Sequence, residues 1–64
     1  MAIDIPYQVI GREEQSAKDY IQSYSLRWRV VKRDGIPFIV TGDVDGNRIN
    51  LSIDKGTVTK ASRG

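Results

Sequence analysis

Across residues 48–53 the chain alternates strictly, with Ile49, Leu51 and Ile53 set between Arg48, Asn50 and Ser52. This pattern constrains the fold more than any other, because a period of two marks a pleated strand with one buried and one polar face. Three aliphatic side chains then enter a core, and three polar ones turn the other way. Ahead of the strand lies Phe38-Ile39-Val40, a short apolar run that predicts a strand approach. Between the two comes Thr41-Gly42-Asp43-Val44-Asp45-Gly46-Asn47, rich in residues that tolerate unusual backbone angles. Residues 35–54 therefore read as approach, exposed loop and return strand, with the strand's polar face looking back at the loop. Any function legible in the sequence is expected there.

At 64 residues the chain is one small domain, able to bury only about 60% of its unfolded surface. Hydrophobic residues make up 39% of it and with the six Gly reach an ordinary globular share, so a real core is expected in spite of the size. There is no Cys and no His, which removes disulfides, thiol nucleophiles, imidazole bases and the commonest zinc ligands. No catalytic residue, metal or cofactor is assigned, and enzymatic activity is not expected. Ten Lys and Arg against eight Asp and Glu leave a net charge of +2, too small a bias to imply a nucleic-acid or membrane partner without local clustering. Asp4 and Pro6 stand among the first residues with no long apolar run, so neither a signal peptide nor a membrane span is read. A cytoplasmic monomer is expected.

Residues 1–8 alternate weakly through Ile3, Ile5 and Tyr7, and Pro6 restricts them to an edge strand or an extended arm. Residues 12–24 then place Ala17, Tyr20, Ile21 and Tyr24 at helical spacing, with Glu13 and Glu14 in the first turn where they complement the dipole. This is the one helix predicted, and no Ser, Thr, Asp or Asn stands immediately before Glu13 to cap it. Residues 26–33 have the composition of a strand, with Leu26, Trp28 and Val30 on one face, and Asp34-Gly35 punctuates it. Asp54-Lys55-Gly56 predicts a tight turn into a short strand over 57–60 with Val58 inward, and 61–64 read as a tail. The fold expected is α+β, one helix packed on a small mixed sheet, with an exposed loop over about residues 35–47. Ala17, Tyr20, Ile21, Leu26, Trp28, Val30, Ile49, Leu51 and Ile53 are expected to share the core.

Several groups admit more than one reading. Asp45-Gly46 between apolar strands is a common hairpin turn that needs no function. Asp43, Asp45, Asn47 and Asp54 fall at positions 1, 3, 5 and 12 of a calcium loop, but that loop needs glycine at position 6 and flanking helices, whereas Gly46 is at position 4 and the flanks read as strands. Arg27, Arg29, Lys32 and Arg33 around Trp28 would suit phosphates and a stacked base. Alternation, however, turns Trp28 to the core while the arginines face solvent, so a solvated basic face is the plainer reading and nucleic-acid binding is not expected. Glu14 with Asp19, or Asp43 with Asp45, are carboxylate pairs with no His, metal set or visible apolar pocket to tune them.

Ile10-Gly11, Ala17-Lys18 and Ile21 stand ahead of Val40-Thr41, Asp43, Arg48, Asn50 and Asp54, and Gly56 with Val58 closes the series. In this order and spacing the chain resembles the potato inhibitor I family of serine-protease inhibitors, and more closely that family's bacterial relatives. The likeness covers nearly the whole chain; a helix-and-hairpin domain of the PepSY type is its nearest competitor. The resemblance implies an inhibitory loop of Ile39, Val40, Thr41, Gly42, Asp43 and Val44 that binds a protease of subtilisin or chymotrypsin type as an extended substrate. Thr41 would precede the specificity residue, Gly42 would be that residue, and Asp43 would follow the scissile bond. Arg48 matches a family arginine that braces the residues flanking the bond, and Asn50 falls where plant members carry a second arginine. Three departures accompany the likeness. Gly42 has no side chain for the protease's main pocket, the approach over 35–41 is longer than usual, and Glu13 replaces a helix-capping Ser. The alternative is a small α+β structural or nucleic-acid-binding module with a plain Asp-Gly hairpin.

Overall fold

Asp4 and Pro6 supply the chemistry of a helix start. The computed structural model describes residues 4–64, and in it Ile5–Val9 forms helix α1. Asp4 Oδ1 accepts from the Tyr7 N–H at 3.3 Å, while Pro6 occupies the first turn, where a missing N–H breaks no helical bond. The edge strand or arm expected over residues 1–8 is thus corrected for its described part; the rest of that expectation, residues 1–3, lies outside the described residues. Spacing of four brings Ile5 and Val9 onto one face, and both are buried in the core.

Helix α2, Glu14–Ser23, follows after Gly11, whose φ of 88° reverses the chain. Two helices therefore stand where one was expected. Glu13 is itself the N-cap of α2, its Oε1 accepting from the Gln15 N–H at 2.8 Å, so the carboxylate does the work of the absent hydroxyl. At the other end Ser25 takes a φ of 60°, its N–H donates to Gln22 O, and the Leu26 N–H reaches Ile21 O. This is the paired-bond stop that satisfies a helix's last carbonyls. Ala17 and Ile21 face inward.

The four strands are β1 (Arg27–Arg33), β2 (Ile36–Pro37), β3 (Arg48–Asp54) and β4 (Thr57–Arg63), ordered β2-β1-β3-β4. β1 and β3 run parallel, and the two outer pairs run antiparallel. Both antiparallel pairs turn on two residues with positive φ, Asp34-Gly35 (51° and 81°) and Lys55-Gly56 (51° and 79°), the backbone that suits the natural twist of a hairpin. The turns meet at one end of the sheet, where Asp34 Oδ1 accepts from the Lys55 N–H at 2.7 Å. Asp45-Gly46 is not a hairpin turn, because β2 and β3 are not neighbours. Residues 61–63, expected as a tail, continue β4, and Gly64 N–H still bonds Arg48 O at 2.9 Å.

Ile49, Leu51 and Ile53 are buried as the alternation requires, and Val58 joins them from β4. Tyr20, Leu26, Trp28 and Val30 pack against this cluster half-buried and not within it. Four places in the expected core thus go to the edge of the cluster, and Ile5 and Val9 complete the middle. No helix among the described residues is long and apolar enough to cross a membrane.

Candidate functional site

Parallel pairing of β1 with β3 forces the chain to travel back the length of the sheet between them, and the loop after β2 makes that return. The strand approach expected over Phe38-Ile39-Val40 is corrected, since the strand lies earlier, at residues expected to belong to the loop. Only Ile36–Pro37 pairs as a strand, with one further bond from the Phe38 N–H to Val31 O at 2.9 Å, and the Phe38-Ile39-Val40 run is exposed. Ile39 stands fully in solvent and Val44 is 88% exposed. Among the described residues these are the two most exposed of the large hydrophobic side chains.

Between them, the two neighbours of Gly42 are tied to the sheet. Arg48, whose side chain is only 13% exposed, donates from Nη2 to Asp43 O at 2.9 Å, and its Nη1 lies 3.5 Å from Asp43 Oδ2. The same guanidinium donates from Nε and Nη2 to Gly64 O at 3.1 and 2.9 Å. Arg29 approaches from β1, its Nη1 donating to Thr41 O and to Thr41 Oγ1, each at 3.3 Å. Asn50 lies between the two arginines, accepting from Arg29 Nε at 3.0 Å and donating to Gly64 O at 3.2 Å. Alternation puts Arg48 and Asn50 on the same face of β3, and the parallel register sets Arg29 directly opposite Asn50.

Asp43 carries the loop's nearest negative charge. The Thr41 hydroxyl and its own backbone hold its carboxyl below the usual carboxylate range, and Arg48 and Arg29 add to that effect. The descending limb is fixed separately: Arg27 pairs with Asp45, Asp45 Oδ1 accepts from the Asn47 N–H at 2.9 Å, and Arg63 Nη1 donates to Gly46 O at 2.7 Å. Gly42 lies outside the left-handed region, and a Cβ built on it meets nothing within 4 Å. A side chain there would project freely.

Of the residues singled out from the sequence, Thr41, Asp43, Arg48 and Asn50 come together, and Ile39, Val40 and Val44 extend from them unbraced. The basic group on β1 separates into different jobs. Arg27 pairs with Asp45, Arg29 holds Thr41, Arg33 binds Glu14, and Trp28 lies half-buried with Lys18 Nζ 4.0 Å from its ring centre. Arg27, with a side chain 68% exposed, and Lys32 face solvent as expected, whereas Arg29 and Arg33 are half-buried and held by hydrogen bonds. Arg29 was missed as a loop residue because its role follows from the β1–β3 register, which no local pattern carries. A small α+β domain with a braced, apolar-tipped loop between parallel strands is the class that fold and site define. No protein-family model, curated protein or solved structure matches the chain.

Proposed function

We propose that the chain is a protease-inhibitor-like binding module that presents residues 39–44 as an extended strand to the cleft of a serine protease. The observation that carries this reading is the bracing of Gly42 from both sides, by Arg29 on Thr41 and by Arg48 on Asp43. A loop used as a substrate mimic gains affinity by losing little freedom on binding, and a stiff loop also keeps a cleaved amine in place so that the bond re-forms. Bracing of the two residues on either side of Gly42, with apolar side chains free beyond them, suits that mechanism better than it suits a plain connection. Gly42 is the weak point, since it fills no pocket.

The experiment is an inhibition constant and a rate of loop cleavage against subtilisin- and chymotrypsin-like proteases. Wild type should inhibit feebly or be cut slowly after Gly42. Gly42→Leu, for which the backbone and the space around it leave room, should gain roughly 2 to 4 kcal/mol, about 30- to 1000-fold in affinity. Arg48→Ala in that background should turn the tighter binder into a substrate. No gain from Gly42→Leu against any protease of these classes would remove the reading.

A further inference from the structure

The side chain of Asn50 is used at both ends: its oxygen meets a donor on Arg29 and its amine meets an acceptor on Gly64. Such an amide cannot flip without facing donor to donor and acceptor to acceptor. Its oxygen therefore holds Arg29 by Nε. Because the guanidinium is planar and its donors are rigidly arranged, fixing Nε also aims Nη1, and Nη1 is the atom that reaches both oxygens of Thr41. Each of these two bonds is long, at 3.3 Å, so neither alone would fix a loop; their convergence on one residue from one oriented nitrogen is what gives direction.

We propose that Arg29 is a positioning residue for the loop: oriented by Asn50, it holds Thr41 so that the bond after Gly42 is presented in one conformation. Loop stiffness then depends on β1 as well as on β3, and the β1–β3 pairing becomes part of the binding apparatus. The functional consequence rests on the inhibitor reading above, whereas the positioning itself does not.

The test uses the full chain carrying Gly42→Leu, with Arg29→Ala, Arg29→Lys and Asn50→Ala added singly and Arg48→Ala for comparison. Amide relaxation on the free protein reads the order of Thr41, Gly42 and Asp43, and a subtilisin-like protease reads the rate of cutting after residue 42. All three Arg29 and Asn50 variants should lose order at Thr41 and Gly42 and be cut about 10- to 100-fold faster, the worth of one or two hydrogen bonds from a charged donor. Arg29→Lys belongs with them, since a lysine keeps the charge but cannot hold Asn50 and Thr41 in one plane. Amide shifts in β1 and β3 should stay in place, and if Arg29→Ala disturbs them, Asn50→Ala carries the same comparison. Unchanged order at Thr41 in variants that keep the sheet overturns the proposal. So does a cutting rate that Arg48→Ala raises and the Arg29 and Asn50 variants do not, a result that leaves the inhibitor reading standing. If the Gly42→Leu chain neither inhibits nor is cut at that bond, the inhibitor reading falls and takes the functional half with it, while Thr41 order still decides whether Arg29 positions the loop.

Discussion

Both carboxylate oxygens of Glu14, in the first turn of α2, accept from Arg33 at the end of β1, at 2.6 Å from Nη1 and 2.9 Å from Nη2. Lys18, one helical turn further on, donates to the same group at 2.6 Å. The pair ties the helix to the sheet at the end of β1 beside the Asp34-Gly35 turn, and it does so with a bidentate fork rather than a single contact. Arg33, followed by Lys18, pulls the Glu14 carboxyl down from 4.5 to about 2.

A pH dependence follows from that shift. The folded value lies below the unfolded one, so the stabilisation is complete above about pH 4.5 and is lost as pH falls through about 2. Solvent screening at the half-open Arg33 side discounts it to about 1 to 2 kcal/mol. Melting temperatures of wild type and Glu14→Gln, followed from pH 6 to pH 2, should differ by about 5 to 10 °C at pH 6 and converge near pH 2. A gap that does not change over this range would mean that the fork contributes no proton-linked stability.

Ser25 sits at a φ of 60°, beyond the end of α2, in backbone that glycine adopts without the penalty a side chain brings. Ser25→Gly should raise stability by roughly 0.5 to 1 kcal/mol, less the extra freedom glycine has in the unfolded chain. Urea unfolding should show a higher midpoint with the same slope. An unchanged or lower midpoint would show that the helix does not stop in this way.

Leu51 lies in the middle of β3, fully buried, with sheet neighbours on both sides. Leu51→Ala should cost roughly 2 to 5 kcal/mol, which is most of what so small a domain is expected to have. Lys60→Ala, on the exposed side of β4, should cost about 0.5 kcal/mol or less in the same titration. Equal losses for the two would contradict the burial of the alternating face.

How much of this was legible in the sequence varies from element to element. The burial of Ile49, Leu51 and Ile53 was readable because alternation is a local property of one strand. Helix α2 was readable from Ala17 and Ile21 at a spacing of four. Helix α1 was not, since five residues are too few to display a helical period and Pro6 suits a strand edge as well as a first helical turn. Thr41, Asp43, Arg48 and Asn50 were named as loop and support through a family likeness, and the geometry brings those four together.

By itself, then, the sequence determined the elements whose information is short-range: the two-residue period of β3, the inward stripe of α2 and the turn chemistry of Asp34-Gly35 and Lys55-Gly56. Tertiary structure alone decided what those elements do to one another. Two Asp-Gly pairs occur in the chain, and only the strand order makes Asp34-Gly35 a hairpin turn and leaves Asp45-Gly46 in the loop. Arg29 holds Thr41 only because β1 runs parallel to β3 in the register that sets it opposite Asn50, 21 residues away. Periodicity and propensity act within a few residues of their own position. A brace between strands acts across the fold, and its partners are chosen by the pairing of the backbone.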